Sequence, residues 1–255
     1  MTALIAGLLG VIEGISEFLP ISSTGHLILA SSVLGVAQTD FQKSFEIIIQ
    51  LGAIAAVAVL YWRAFLNFDT LKKLIVAFIP TGVVGLLLYK IIKTYLLGNQ
   101  AVVLWALLLG GIVLIVFELL YKEKPAAAQE LSAISYKQSF LIGLFQSIAI
   151  IPGVSRSAAT IVGGLTVGLK RTTIVEFSFL LAVPTMLAAT LLDLYKNHSS
   201  FSGSDTVNLL VGFVCAFVVA LFAIKFLLRF VRTHTFIPFG IYRIVAALVF
   251  WFMIF

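Results

Sequence analysis

Uninterrupted apolar runs recur along the whole chain and constrain it more than any other feature. Six of them, 44–62, 71–93, 100–121, 172–194, 207–229 and 237–255, are each long enough to cross a bilayer as a helix, which takes about 20 apolar residues. Strands of a membrane barrel alternate in polarity and run only about ten residues, so continuous runs exclude that fold. Of the 255 residues, 61% are hydrophobic and only 17 are basic and 11 acidic, whereas a soluble domain carries about 25% charged residues. So few charges cannot coat a soluble body. The sequence predicts an all-α polytopic membrane protein, one integral membrane domain over 1–255, working within or at the face of the bilayer.

The net charge of +6 sits in short connections rather than in a basic stripe interleaved with aromatics, so nucleic acid is not an expected partner. Cys215 is the only cysteine, which excludes a disulfide framework or a cysteine metal site. The first nine residues lack a basic leader region and run into Glu13 and Glu17, so they read as mature protein rather than a removed signal. Arg63, Lys72, Lys73, Lys122, Lys124, Lys137, Lys170, Arg171, Arg229 and Arg232 fall on one side of the predicted spans, against Lys43, Lys90, Lys93 and Lys196 on the other. The richer side is expected to be cytoplasmic, with both termini on the outer face.

Two apolar regions do not fit a simple span. Residues 1–34 are broken by Leu19-Pro20-Ile21-Ser22-Ser23-Thr24-Gly25, and 136–168 by Ile151-Pro152-Gly153-Val154-Ser155. The pieces on either side are too short for two crossings, so each region reads as a re-entrant helix hairpin. The two regions also resemble each other. At one offset Gly10, Glu13 and Ser22 fall on Gly143, Gln146 and Ser155; with a one-residue slip, Pro20 falls on Pro152 and Phe45-Glu46 on Phe177-Ser178. One hairpin plus three crossings per unit starts the second unit on the opposite side. The expectation is an inverted-topology repeat, with six transmembrane helices and two re-entrant hairpins: repeat 1 about 1–121, linker about 122–135, repeat 2 about 136–255.

Ionisable groups inside apolar segments are costly and are functional candidates. Glu13 and Glu17 stand four residues apart, on one face of a helix. Their mutual repulsion calls for a cation, a proton or a divalent metal between them. Pro20-Ile21-Ser22-Ser23-Thr24-Gly25-His26 reads as a fresh helix N-terminus capped by Ser22 or Ser23, able to receive an anion. Pro152-Gly153-Val154-Ser155-Arg156-Ser157-Ala158-Ala159-Thr160 repeats the device and adds Arg156, whose fork suits phosphate; the bland alternative for Arg156 is a salt bridge to Glu13 or Glu17. His26 is a candidate base if it converges with Ser23. Gln50 is a candidate for lining the site, whereas Glu46 and Glu176 read as partners of helix N-termini, and His198 and His234 fall in connections. Helix ends and Arg156 favour a polyanion and the acids repel one; a divalent cation held by Glu13 and Glu17 reconciles them. The constellation points to phosphoryl chemistry on a membrane-borne substrate.

The stretches 13–26 and 152–160 resemble the two long motifs of the bacterial undecaprenyl-diphosphate phosphatases, the bacitracin-resistance family, and the likeness extends over essentially the whole chain. Ala158 stands where glycine is common in that family. The resemblance implies hydrolysis of undecaprenyl diphosphate to undecaprenyl phosphate and inorganic phosphate, recycling the lipid carrier of cell-wall synthesis and conferring bacitracin resistance. It implies a divalent cation, Mg2+ or Ca2+, and a bacterial inner-membrane location with the site opening to the periplasmic face; a homodimer is compatible with it. By matched position the family's functional residues are Glu13, Glu17, Ser23, His26, Ser155, Arg156 and Thr160; from the residues themselves, Glu17, Ser23, His26 and Arg156 are expected to be catalytic, Glu13 and Glu17 metal ligands, and Ser22, Thr24, Ser155, Ser157 and Thr160 substrate contacts. The rival reading is a carrier or flippase for a polyprenyl phosphate or other anion, because inverted repeats with broken helices are common in carriers.

Overall fold

The computed structural model describes residues 1–37, 39–96, 99–122, 130–197 and 206–255. Lys124, His198 and most of the linker, 123–129, lie outside the described residues, as do the side chains of Lys43, Lys93 and Lys196. Twelve α-helices are present among the described residues: α1 (Ala3–Ser16), α2 (Ser23–Val33), α3 (Asp40–Leu60), α4 (Trp62–Phe65), α5 (Phe68–Leu87), α6 (Tyr89–Ile91), α7 (Gln100–Leu120), α8 (Tyr136–Ser147), α9 (Arg156–Thr166), α10 (Arg171–Asn197), α11 (Thr206–Phe230) and α12 (Ile237–Ile254). Five of these, α5, α7, α10, α11 and α12, are long and apolar enough to cross a membrane, and the apolar part of α3, Ser44–Leu60, is shorter. The run expected at 71–93 ends sooner as a regular helix: α5 stops at Leu87, and α6 passes into a π-helical turn, Ile92–Leu96.

Local sequence explains why the two anomalous regions break where they do. Proline cannot donate to a helix ladder and clashes with the turn before it, so α1 and α8 cannot continue through Pro20 and Pro152. Each following helix starts on a serine with left-handed backbone, Ser22 at φ 74° and Ser155 at φ 76°. Such a conformation costs a non-glycine residue about 1–3 kcal/mol. Capping offsets part of that cost: Ser22 Oγ accepts from the Gly25 amide at 3.3 Å and Ser155 Oγ from the Ala158 amide at 3.2 Å. The two breaks are thus built alike, on helices α2 and α9 of 11 residues each.

Side-chain bonds place the outer ends of the two broken units. Gln100, at the start of α7, donates to Ser32 near the end of α2. Glu118, near the end of α7, is paired with Arg171, just beyond α9, and accepts from the Phe236 amide at 3.0 Å. Eighteen residues of helix at 1.5 Å each separate these anchor points by about 27 Å, so the end of α2 and the start of α10 lie against opposite ends of α7. The tips of the two broken units meet near its middle.

Helices far apart in the sequence pack together. α1 packs on α11, α11 on α3, α5 on α8, and α7 on α12. Close approach is made possible where α1 carries Gly14, because a Cβ there would lie 2.7 Å from the Ala216 carbonyl. The core runs through α3, α9, α10 and α11, with Phe18, Phe177, Phe179 and Phe236 buried at its centre.

Candidate active site

The two tips bring residues from distant parts of the sequence into contact. Glu17 caps the C-terminal end of α1 and receives the Ser23 hydroxyl on Oε2. Its other oxygen, Oε1, takes Arg156 Nη2 at 2.9 Å, across 139 residues of sequence. Arg156 is held from behind, with Nη1 donating to the Ser178 carbonyl at 2.7 Å, while its Nε is buried with no partner among the described residues. A carboxylate, a hydroxyl and a guanidinium are thereby fixed in one line, Ser23–Glu17–Arg156. The ion pair foreseen as the bland reading of Arg156 is present and forms part of the site.

These groups border a cavity of about 660 Å³. Glu17, Ser22, Ser23, Thr24, Gln50, Ser155 and Arg156 line it, as do Gln146, Thr81 and Thr185. Phe78, Ile79, Val83, Leu86, Ile150, Ile151 and Leu192 supply an apolar remainder. A polar head and a long apolar tail are the ligand shape such a lining favours.

Glu13 lies one turn before Glu17, with no exposure to solvent and no hydrogen-bond partner for either carboxylate oxygen among the described residues. It feels the charges of Glu17, Glu46 and Arg156. An orphaned buried carboxylate is costly unless something compensates it; two carboxylates are the oxygen donors a hard divalent cation would take, and of the two Glu17 lines the cavity whereas Glu13 does not. No group of three histidine, cysteine or acidic side chains gathers there among the described residues, so protein ligands would come from Glu13 and Glu17 alone. Glu46 is buried, and it accepts from Gln42 at 3.0 Å and from Ser31 at 3.3 Å.

Three residues expected at the site are turned elsewhere. His26 donates from Nδ1 to the Ser22 carbonyl at 2.8 Å, and its Nε2 is bonded to Tyr242 Oη at 2.9 Å, so neither ring nitrogen engages Ser23. Ser157 donates to the Phe18 carbonyl at 2.7 Å, and Thr160 meets Ser178 Oγ at 2.6 Å as well as the carbonyls of its own helix. Neither of those two lines the cavity. Thr160 and Ser178 instead stand behind Arg156. For Thr160 the reason is general, since a helical hydroxyl returns to a carbonyl about one turn earlier, whereas Ser157 is drawn across to the first break.

Sequence reasoning missed Arg243, whose buried guanidinium bonds to backbone at both tips, and Tyr242, the partner of His26. The signal for Arg243 was an arginine inside an apolar span. It also missed Gln146 as a cavity residue; its amide donates to Thr81 at 2.8 Å and its Oε1 is buried without a partner among the described residues.

The family described as "Bacitracin resistance protein BacA" matches residues 6–249. An undecaprenyl-diphosphatase of Sulfurihydrogenibium sp. is 55% identical over 98% of this chain and 99% of that protein. One from Aquifex aeolicus is 52% identical over 98% of each, and one from Campylobacter jejuni 49% over 99% of this chain and 95% of that protein. With a match over nearly its full length and both motif regions meeting at one cavity, the chain belongs to the BacA bacitracin-resistance family.

Proposed function

We propose that this chain hydrolyses undecaprenyl diphosphate to undecaprenyl phosphate and inorganic phosphate, returning the carrier lipid to cell-wall polymer synthesis and conferring bacitracin resistance when abundant. The observation that carries the mechanism is the Ser23–Glu17–Arg156 line bordering a cavity lined mainly by apolar side chains. Ser23 Oγ attacks the terminal phosphorus while Glu17 takes the hydroxyl proton. The new Oγ–P bond replaces the P–O bond to the lipid phosphate, which leaves as undecaprenyl phosphate. Water then cleaves the phosphoserine and releases inorganic phosphate. Arg156, the Ser155 cap and the amides opening α2 and α9 stabilise the equatorial oxygens as charge builds on them.

A divalent cation, Mg2+ or Ca2+, held by Glu13 and Glu17, would supply neutralisation of the diphosphate charge. The prenyl tail follows the apolar wall, where each buried methylene contributes about 0.8 kcal/mol. In this reading six helices cross the inner membrane and two re-entrant hairpins, one per repeat in 1–121 and 136–255, meet at the midplane. The lysine and arginine asymmetry of the connections turns the site toward the outer face.

Broken helices meeting inside a membrane also suit a carrier of the lipid phosphate. A carrier has no use for a hydroxyl bonded to a carboxylate, which favours hydrolysis. Phosphate release by detergent-purified protein with Mg2+ separates the two: release that is lost in Glu17→Ala and Arg156→Ala supports the hydrolase, and no release by any preparation favours the carrier. Trapping a phospho-enzyme tests the nucleophile, and phosphate found on His26 would refute the serine route.

A further inference from the structure

Arg243 lies inside α12 with none of its surface exposed. A guanidinium has five N–H groups, and here five backbone carbonyls receive them. Nε donates to Leu107 at 3.3 Å, Nη1 to Pro20 at 3.3 Å and Val154 at 2.9 Å, and Nη2 to Ala106 at 2.9 Å and Gly153 at 2.9 Å. Pro20 belongs to the first break, Gly153 and Val154 to the second, and Ala106 and Leu107 to the middle of α7. One side chain therefore joins the three backbone segments around the site.

The chemistry of these acceptors matters as much as their position. None is a carboxylate, so the buried cation is compensated by dipoles and no acceptor cancels its charge. A trans peptide sets its carbonyl and the next N–H antiparallel, so the Val154 carbonyl on Arg243 turns the Ser155 amide away from it, and Ser155 lines the cavity. The fit is tight on the α7 side as well. A Cβ on Gly110 would lie 2.7 Å from Arg243 Cζ, so glycine leaves the room that the guanidinium fills. Tyr242, next in sequence, holds His26, which makes α12 a support for both helices that open on the site.

We infer that Arg243 is a positioning residue for the hydrolysis proposed above: it fixes the two breaks at the spacing that lets Ser23 and Arg156 meet on Glu17, and its charge strengthens the positive field toward the diphosphate. Lysine keeps the charge but offers three donors in place of five and no planar fork. Methionine keeps approximate bulk and removes both.

The test uses full-length protein in detergent with undecaprenyl diphosphate and Mg2+, reading kcat and KM per folded molecule, with folded protein counted by thermal unfolding. Misplacing catalytic groups by about 1 Å costs about a hundredfold, so Arg243→Lys is expected to lower kcat by about that factor with KM little changed. Arg243→Met is expected to raise KM as well and to weaken inhibition by inorganic diphosphate about tenfold or more, one decade being about 1.4 kcal/mol. Gly110→Ala is expected to lower kcat in the unaltered protein and to add nothing in Arg243→Lys, because both act through the same guanidinium. The assignment is overturned if Arg243→Lys keeps full kcat, if every loss disappears after correction for folded protein, or if the Gly110→Ala and Arg243→Lys losses simply add. Unaltered protein that releases no phosphate overturns the hydrolytic reading and this assignment with it, whereas normal activity with an unaffected Arg243→Lys overturns the assignment alone.

Discussion

Replacing Glu17 by glutamine preserves the shape of the side chain and changes the chemistry of one atom. Both carboxylate oxygens are in use, Oε1 by Arg156 Nη2 at 2.9 Å and Oε2 by the Ser23 hydroxyl. An amide has one acceptor oxygen and one donor nitrogen, so with its oxygen on Arg156 it donates to the Ser23 hydroxyl and leaves that hydroxyl no base to take its proton, and turned the other way it sets its N–H groups against the Arg156 donors. Water cannot step in freely, since the side chains of Arg156 and Glu17 are only 12% and 6% exposed. Each charge-assisted bond contributes about 1.5–3 kcal/mol. Loss of a general base costs about 10²–10⁴ in rate, or about 2.7–5.4 kcal/mol of barrier at 1.36 kcal/mol per decade. The expected outcome for Glu17→Gln is a fall in kcat of at least about a hundredfold with KM changed by less than about fivefold, because the tail sets most of the ground-state binding. Phosphate release from undecaprenyl diphosphate by detergent-purified protein measures both constants, and thermal unfolding confirms that the variant is folded. Folded Glu17→Gln with kcat within about threefold of the unaltered protein would refute the role given to the carboxylate.

Three further outcomes follow from the same geometry. Tyr242→Phe frees His26 Nε2 without touching Ser23 or Glu17, so its kcat is expected within about fivefold of normal; a loss matching Glu17→Gln would make His26 the base instead. Gly85 borders the apolar wall, and a Cβ there would meet only Ile150 Cδ1 at 3.9 Å. Gly85→Leu should therefore displace several methylenes of tail at about 0.8 kcal/mol each, raising KM for the long lipid more than tenfold while leaving a farnesyl diphosphate substrate unaffected; equal changes for both lengths would remove the tail from this wall. Gly14→Val places branches against the Ala216 carbonyl, 2.7 Å from the Cβ position, and overpacking of that kind costs about 1–3 kcal/mol, measurable as a lower thermal midpoint with kcat per folded molecule retained.

The sequence made the two breaks legible because their cause is local: proline, a capping serine and a change of apolar period within a few residues. Glu17 and Arg156 were legible as well, since charge inside apolar sequence is rare and two oppositely charged candidates invite pairing. What stayed hidden was decided by tertiary direction. Ser157 and Thr160 sit in the motif beside Arg156, yet helix geometry turns their hydroxyls to carbonyls and to Ser178. His26 follows Ser23 by one turn, but Tyr242, 216 residues away, takes its free nitrogen. Arg243 met the same criterion of an intramembrane charge as Glu13 and Arg156. Its partners are backbone carbonyls of Ala106, Leu107, Pro20, Gly153 and Val154, and no residue type marks a carbonyl in a sequence.

The bond from Arg243 to Pro20 spans 223 residues, and that separation is also a delay. At synthesis rates of about 5–20 residues per second, about 11–45 s pass between delivery of Pro20 and delivery of Arg243 to the membrane. During that time the first hairpin has its strained Ser22 turn but not the clamp that sets it against the second. On the role proposed for Arg243, a nascent chain is expected to gain full activity only when α12 arrives, and a product cut short before α12 would carry Glu17, Ser23 and Arg156 without that clamp.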